Sequence, residues 1–408
     1  MLSVDEALQK VLERARPKQA VVWPLHDALG LVLAEDVQSD VDSPPHDKSL
    51  VDGYAVIAAD LADGRAELDI VEELTAGAVP TISLSGGRAT RIMTGAPLPP
   101  GADAVVMVEH TEVVNDDASL GRVRIAGRRV TAGQNIMRRA TSMARGDVVL
   151  RAGMVLGAIE IGVLAEVGRT QLRAVGRPTL AVLPTGNELV LPEQSPAAGQ
   201  IRNSNGPLLL AAARAAGAEP VDLGIARDDA RQLRERMARG LECDVLVISG
   251  GVSAGVLDLV PSVLKELGVE EVFHKVSLKP GKPLWFGVVA GPSGDKLVFG
   301  LPGNPVSSLV CFELFVRPAI GRLAARGDTS LAQLSVALAS DHVQRGDRET
   351  YHPARLTTVD GRPVIEPLVL QGSGDLRTLV EADALACFPA GEHAYRRGDM
   401  IGALRLPR

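Results

Sequence analysis

The chain has 408 residues, more than one ordinary core can organise, and so should fold as several domains. A net charge of -7 excludes a general nucleic-acid binder, and an aromatic content of 3% leaves few platforms for stacking bases. No apolar run approaches the ~20 residues of a membrane span, so neither nucleic acid nor membrane is expected as a partner.

The first residues, MLSVDEALQKVLERA, have an amphipathic helical pattern with Ser3 and Glu6 at capping-box spacing, and no signal peptide is visible. Pro17 breaks this helix, and a short second helix is expected through Leu29 to Leu33. Ser43-Pro44-Pro45 forbids regular structure. Asp52-Gly53 before Tyr54-Ala55-Val56 marks a turn into a strand, which places Asp47 and Asp52 on a loop, where aspartate is first of all a turn former. Tyr54 to about Asn135 reads as β-rich, with runs at Ala66–Leu74, Ala89–Met93, Ala104–Glu109 and Arg122–Ile125. Thr94 to Gly101, TGAPLPPG, is its most rigid loop. A helix at Leu156–Val167 stops at Gly168. Cys243, Cys311 and Cys387 lie far apart within apolar runs and read as buried thiols of a cytoplasmic protein, not as a disulfide framework or zinc cluster.

From Pro178 to about Arg326 strands and helices alternate. Strands are expected at Thr179–Leu183, Val221–Ile225, Asp244–Ile248, Leu284–Val289 and Leu297–Phe299, with helices at Pro207–Ala216, Ala230–Ala238 and Leu257–Leu267. This alternation predicts a mostly parallel sheet covered on both faces, with ligands beyond the carboxyl ends of its strands. Three Gly-bearing loops follow such ends: Thr185-Gly186 before Asn187-Glu188, Ser249-Gly250-Gly251 before Ser253, and Pro302-Gly303-Asn304-Pro305. Their unpaired backbone N–H groups on one rim favour a phosphate. Asn304 is a natural helix N-cap and Pro305 a natural first helical residue, while Lys279 and Lys282 on the Pro-Gly loop upstream add positive charge.

The acids Glu188, Asp228, Asp229 and Asp258 follow the same strand ends. Beside an anion they are repulsive unless a hard cation lies between, and Mg²⁺ matches oxygen ligands that bridge carboxylates and phosphates. Asp228 as a helix N-cap and Asp258 as a first-turn acid are the alternatives. Leu331–Arg408 returns to short strands and turns, a separate small β domain in which Ser373 is either a flexible hydroxyl or a turn residue.

Taken together, SPPHDKSLVDGYAV, RIMTGAPLPPGADAVVMVE, PTGNELV, GQIRNSNG, ISGGVSAG, HKVSLKPGKPLWFG and GLPGNPVSSLVCFELFVRPAI resemble the molybdopterin molybdenumtransferase family, which includes the E domain of gephyrin. The resemblance spans nearly the whole chain, with the motifs in order. It implies a multidomain α/β plus β fold: an N-terminal mixed domain (1–53 and 136–177), an inserted β domain (54–135), a central three-layer α/β molybdopterin-binding domain (178–326) and a C-terminal β-barrel-like domain (327–408). It also implies an elongated homodimer whose cleft lies between the third domain and the partner's N-terminal domains. The implied reaction takes adenylylated molybdopterin and molybdate, with Mg²⁺, to molybdenum cofactor and AMP. A molybdopterin adenylyltransferase would supply the substrate, and molybdoenzymes or their chaperones would take the product.

Residue by residue, the family's functional acids fall on Asp52, Glu188, Asp228 and Asp258, its basic residues on Lys275 and Lys279 with Lys282 beside them, and its C-terminal serine on Ser373. Glu188, Asp228 and Asp258 are the expected Mg²⁺ ligands. The three rim loops, with Lys282 and Ser373, are the expected substrate contacts. Two positions depart from the pattern. Arg138-Arg139-Ala140-Thr141-Ser142 stands where the family usually has Arg-Arg-Gly-Glu-Asp, and Val256 replaces an acid. A non-catalytic or altered molybdopterin-binding paralogue or scaffold is therefore the alternative.

Overall fold

The computed structural model describes residues 1–114, 120–251, 259–292, 294–327 and 329–407. They form two compact units: Met1–Glu35 with Gly153–Gly157 and Gln171–Arg408, and Asp36–Ala152 with Ala158–Thr170. Among the described residues no helix is long and apolar enough to cross a membrane.

In the first unit, helix α1 (Val4–Arg14) carries the expected capping box: Glu6 N–H donates to Ser3 Oγ at 3.2 Å and Ser3 N–H to Glu6 Oε2 at 2.8 Å. Its Val4, Ala7 and Val11 are buried in one core with Phe286, Phe299 and Phe312. The helix expected at Leu29–Leu33 is absent. A single 3-10 turn (Leu25–Asp27) is capped by Ala28, Gly30 at φ +78° then turns the chain, and the apolar pair Val32–Leu33 buries itself as a strand against Gln171–Val175.

The central sheet has strands β1 (Thr179–Pro184), β2 (Glu219–Asp222), β3 (Val245–Ser249), β4 (Glu270–His274), β5 (Trp285–Gly291) and β6 (Gly294–Leu301), in the order β2-β1-β3-β6-β5-β4. Only β5 runs against the others. The strand expected at Val221–Ile225 lies slightly earlier, ending before Gly224 at φ +67°. Helices α2 (Asn205–Ala215), α3 (Ala230–Gly240) and α4 (Leu259–Glu266) join these strands. Two buried clusters, one around Phe286 and Phe299 and the other around Leu183, Ile248 and Val298, contain side chains from alternating positions of the same strands, so the sheet is covered on both faces. After β6 the chain is helical from Pro305 to Leu323, interrupted by a π segment at Phe312–Val316.

Strands β7 (Gln333–Leu338), β8 (Glu349–Val359), β9 (Arg362–Pro367), β10 (Ala384–Phe388) and β11 (Met400–Arg405) close into a barrel in the circular order β8-β9-β7-β11-β10. Its interior is filled by residues such as Leu338, Ile365, Phe388 and Ile401. Leu278–Lys279 pairs in parallel with Glu349–Thr350, which carries the KPGKP loop to the barrel wall.

The second unit holds a six-stranded sheet, Ala104–Met107, Gly53–Val56, Arg88–Ile92, Arg65–Leu74, Arg122–Ala126 and Thr111–Val114 in spatial order. Gly53 is required there because a Cβ would stand 1.9 Å from the Val106 carbonyl oxygen.

Candidate functional site

Strands β1, β3 and β6 are adjacent, parallel and level, with Pro184 opposite Ser249 and Ser249 opposite Leu301. Their three Gly-bearing loops therefore leave the sheet at one height and line a cavity of about 690 Å³. Thr185, Gly186, Ser249, Gly250, Gly251, Pro302, Gly303, Asn304 and Pro305 all contribute to its wall. The loops are laced together. Thr185 N–H donates to Ser249 O at 2.9 Å and Gly250 N–H to Leu301 O at 3.1 Å. Gly250 (φ +94°) and Gly251 (φ +65°) are consecutive left-handed residues, and a Cβ on Gly250 would meet the Thr185 carbonyl oxygen at 2.6 Å.

Sequence reasoning passed over Asn205. This side chain, 8% exposed at the start of α2, donates from Nδ2 to Ser249 Oγ and to Gly303 O, each at 2.7 Å, and so fastens two of the loops. Arg227 does the same for the first loop, donating to the carbonyls of Asn187 at 2.7 Å and Leu189 at 2.8 Å.

Glu188 and Asp228 line this cavity, and neither is paired with a cation among the described residues. The Glu188 carboxylate lies directly over Gly186. Asp228 is not the helix cap; Asp229 is, accepting from Gln232 N–H at 2.8 Å. Asp258, Ser253 and Val256 lie outside the described residues. Among the described residues no trio of His, Cys, Asp or Glu is grouped as a metal site. The two carboxylates nevertheless fit a hard divalent ion, for which one or two carboxylates plus phosphate oxygens suffice.

A second cavity of about 630 Å³ shares Pro283, Pro302 and Asn304 with the first. Lys279 and Lys282 from the KPGKP loop and Arg345 and Arg348 from the turn before β8 line it, and no described carboxylate does. Lys279 Nζ reaches the Arg345 carbonyl at 3.4 Å, and Arg348 donates to Leu278 O at 2.9 Å. Asn304 caps its helix without a side-chain bond; its Nδ2 instead donates to Ser373 Oγ at 2.7 Å, while Val306 N–H donates to Ser373 O at 3.1 Å. Ser373 thus tethers the PGNP loop. His342 and His352 complete the wall, and burial holds both imidazoles below their ordinary range.

Lys275 lines neither cavity. It is a half-buried residue at φ +73° whose N–H donates to Leu284 O at 2.8 Å.

In the second unit Asp52 Oδ1 accepts from the N–H and the hydroxyl of Thr94, both at 2.7 Å, and so pins the start of the TGAPLPPG loop. The amide, then the hydroxyl, holds its carboxyl below the usual carboxylate range. Asp47 accepts from Arg138 NH1 at 2.6 Å and from Arg139 N–H at 2.8 Å. Ala140 takes the left-handed conformation (φ +60°), and Ser142 is exposed.

The sequence matches three family models that lie end to end: MoeA N-terminal region (domain I and II) over residues 2–168, "Probable molybdopterin binding domain" over 181–322, and MoeA C-terminal region (domain IV) over 335–406. It is 30% identical over 405 residues to a molybdopterin molybdenumtransferase of Staphylococcus aureus (strain MSSA476), covering 98% of this chain and 94% of that one. The chain belongs to the molybdopterin molybdenumtransferase family. A Staphylococcus epidermidis enzyme of the same name is 30% identical over 408 residues, covering 99% of this chain and 95% of that one. Among solved structures, the molybdopterin biosynthesis MoeA protein of Pyrococcus horikoshii is similar at a TM-score of 0.80 and 31% identity, covering 99% of each chain. Both cavities belong to the first unit of this molybdopterin molybdenumtransferase fold, the first of them built from the segment that matches the molybdopterin-binding model.

Proposed function

We propose that the protein inserts molybdate into adenylylated molybdopterin and releases AMP. One observation carries this reading: a cavity bearing two unpaired carboxylates adjoins, through Pro283, Pro302 and Asn304, a cavity bearing four cationic side chains and no described carboxylate. A phosphoanhydride and a free oxyanion are two anions with different needs. The Gly-bearing loops offer backbone N–H groups to the phosphates, and Lys279, Lys282, Arg345 and Arg348 offer charge to molybdate.

Glu188 and Asp228, with Asp258 as the third acid expected from the sequence, would hold Mg²⁺, which would supply positive charge to the phosphates. The rim loops orient the pyrophosphate so that its scissile bond faces the basic cavity. Asn205, Arg227 and Ser373 keep those loops in place, which lowers the reorganisation the reaction requires. Lys279 also stabilises charge growing on the departing AMP. The Lys275 N–H donates to the Leu284 carbonyl just past the KPGKP loop. A homodimer, in which a second copy of the chain brings Asp52 to the cleft, and a cytoplasmic site of action accompany this reading.

Lys282→Ala and Arg348→Ala should each raise the molybdate concentration needed for half-maximal insertion by tenfold or more, without changing AMP affinity. An unchanged molybdate requirement in both would remove the basic cavity from the reaction. Ser142, where the family pattern has an acid, motivates the second reading of a molybdopterin-binding paralogue. That reading predicts binding without turnover.

A further inference from the structure

Joining molybdate to the ene-dithiol of molybdopterin requires protons to move. In the overall step, MoO₄²⁻ and R(SH)₂ give R(S₂)MoO₃²⁻ and H₂O. Two S–H bonds and one Mo–O bond break, and two Mo–S and two O–H bonds form. The charge stays at -2 and no electron is transferred. The thiol protons must therefore reach the departing oxygen inside a cavity walled by cations.

Lysine and arginine ammonium and guanidinium groups can donate hydrogen bonds but cannot accept a proton. The Tyr351 phenol is committed to Glu349 at 2.8 Å, and burial pushes it above its usual range. Two imidazoles remain, the side-chain type whose ordinary titration spans neutrality. His352 Nε2 lies 2.6 Å from the Leu368 carbonyl, which can only accept, so the ring proton is on Nε2 and Nδ1 holds a lone pair. The His342 ring stacks on Phe388 with centroids 4.4 Å apart and meets the edge of His352 at 5.9 Å. Among the described residues its nitrogens have no hydrogen-bond partner.

We propose that His352 and His342 form a proton relay in the basic cavity, accepting thiol protons and delivering them to the oxygen that leaves as water. This rests on the activity proposed above. Burial, helped at His352 by the nearby Lys279, favours the neutral form of both rings, the form that can accept a proton. The same setting makes the imidazolium a ready donor once formed. The groups around the pair are Lys279, Lys282, Arg345 and Arg348 on the cavity wall, Glu349 and Tyr351 on the strand of His352, Cys387 on the strand paired with it, and His393 and Tyr395 on the strand paired with that of His342. Burial pushes the Cys387 thiol up to about 12.

The test compares full-length wild type with His342→Gln, His352→Gln and the double variant, measuring molybdenum incorporated into adenylylated molybdopterin across about pH 5.5 to 8.5. Glutamine at 352 retains a donor for Leu368. The double variant should insert at least tenfold more slowly, lose the acid limb of the wild-type rate profile and regain part of its rate with added imidazole, while molybdate affinity stays within about twofold. A double variant that keeps the rate and pH profile of an active wild type overturns the relay alone. A wild type that incorporates no molybdenum overturns the activity beneath it. If glutamine at 352 unfolds the barrel, the wild-type profile and His342→Gln decide: a flat acid limb in the former, or an unchanged profile in the latter, contradicts the proposal.

Discussion

Gly186 holds the most easily disturbed geometry in the acidic cavity. A Cβ built there would stand 2.5 Å from Glu188 Oε2, 2.6 Å from Oε1 and 2.8 Å from Cδ, at a backbone φ of +151°. In Gly186→Ala the carboxylate, being the end of a flexible side chain, must retreat by roughly 1 Å to recover van der Waals separation. The stability cost is then mainly backbone strain, about 1–3 kcal/mol. The functional cost is larger, because a displacement near 1 Å at a positioned group lowers the rate on the order of 10²-fold. Gly268→Ala is the matched control, since φ is +81° there and nothing lies within 4 Å of the added Cβ. Urea unfolding and AMP release from adenylylated molybdopterin should place both variants at similar stability, with only Gly186→Ala impaired in turnover. Wild-type turnover in Gly186→Ala would refute the assignment of Glu188 to the reaction.

Other consequences concern stability. Glu313 is 3% exposed and paired with Arg317, 13% exposed, so Glu313→Ala should cost about 3–5 kcal/mol by leaving a buried guanidinium unpaired. Glu313→Ala with Arg317→Met should cost less, as urea midpoints would reveal. Ala140→Gly, which restores the family's glycine at a left-handed position of φ +60°, should stabilise its unit by about 1 kcal/mol, read from hydrogen exchange around residues 138–142. His342 and His352 are held below their ordinary range, so the unfolded chain binds more protons as pH falls through about 6.5. Barrel stability should therefore be full above that pH and decline below it. Protection of the β8 amides that is constant between about pH 7 and pH 5 would contradict the buried neutral rings.

Much of the α/β unit was legible because strand and helix periodicities differ and Gly-bearing loops punctuate them, which located the three rim loops and the carboxylates after β1 and β2. The short elements were not. Val32–Leu33 could read as helix until Gly30 and the partner strand Gln171–Val175 were known. Long-range partners were the larger gap. Arg345 and Arg348 sit in a turn sequence with no local sign of a ligand, and only the pairing of Leu278–Lys279 with Glu349–Thr350 brings them to the KPGKP loop. Asn205 stood in plain view within GQIRNSNG, but its bonds to Ser249 and Gly303 span 44 and 98 positions. Ser373 read locally as a turn residue; its bond to Asn304 crosses 69 positions. The Lys275 side of the KPGKP loop illustrates the converse, since closeness in sequence to Lys279 did not place it on the same wall.

The most direct measurement is a single-turnover reaction of the purified full-length protein with adenylylated molybdopterin, molybdate and Mg²⁺, following AMP and pterin-bound molybdenum together. The expected result is one AMP released per molybdenum inserted, abolished in Glu188→Ala and restored toward wild type only by excess molybdate in Lys282→Ala. Tight retention of the adenylylated pterin with neither AMP nor inserted molybdenum would contradict it, and would make the protein a molybdopterin binder without turnover.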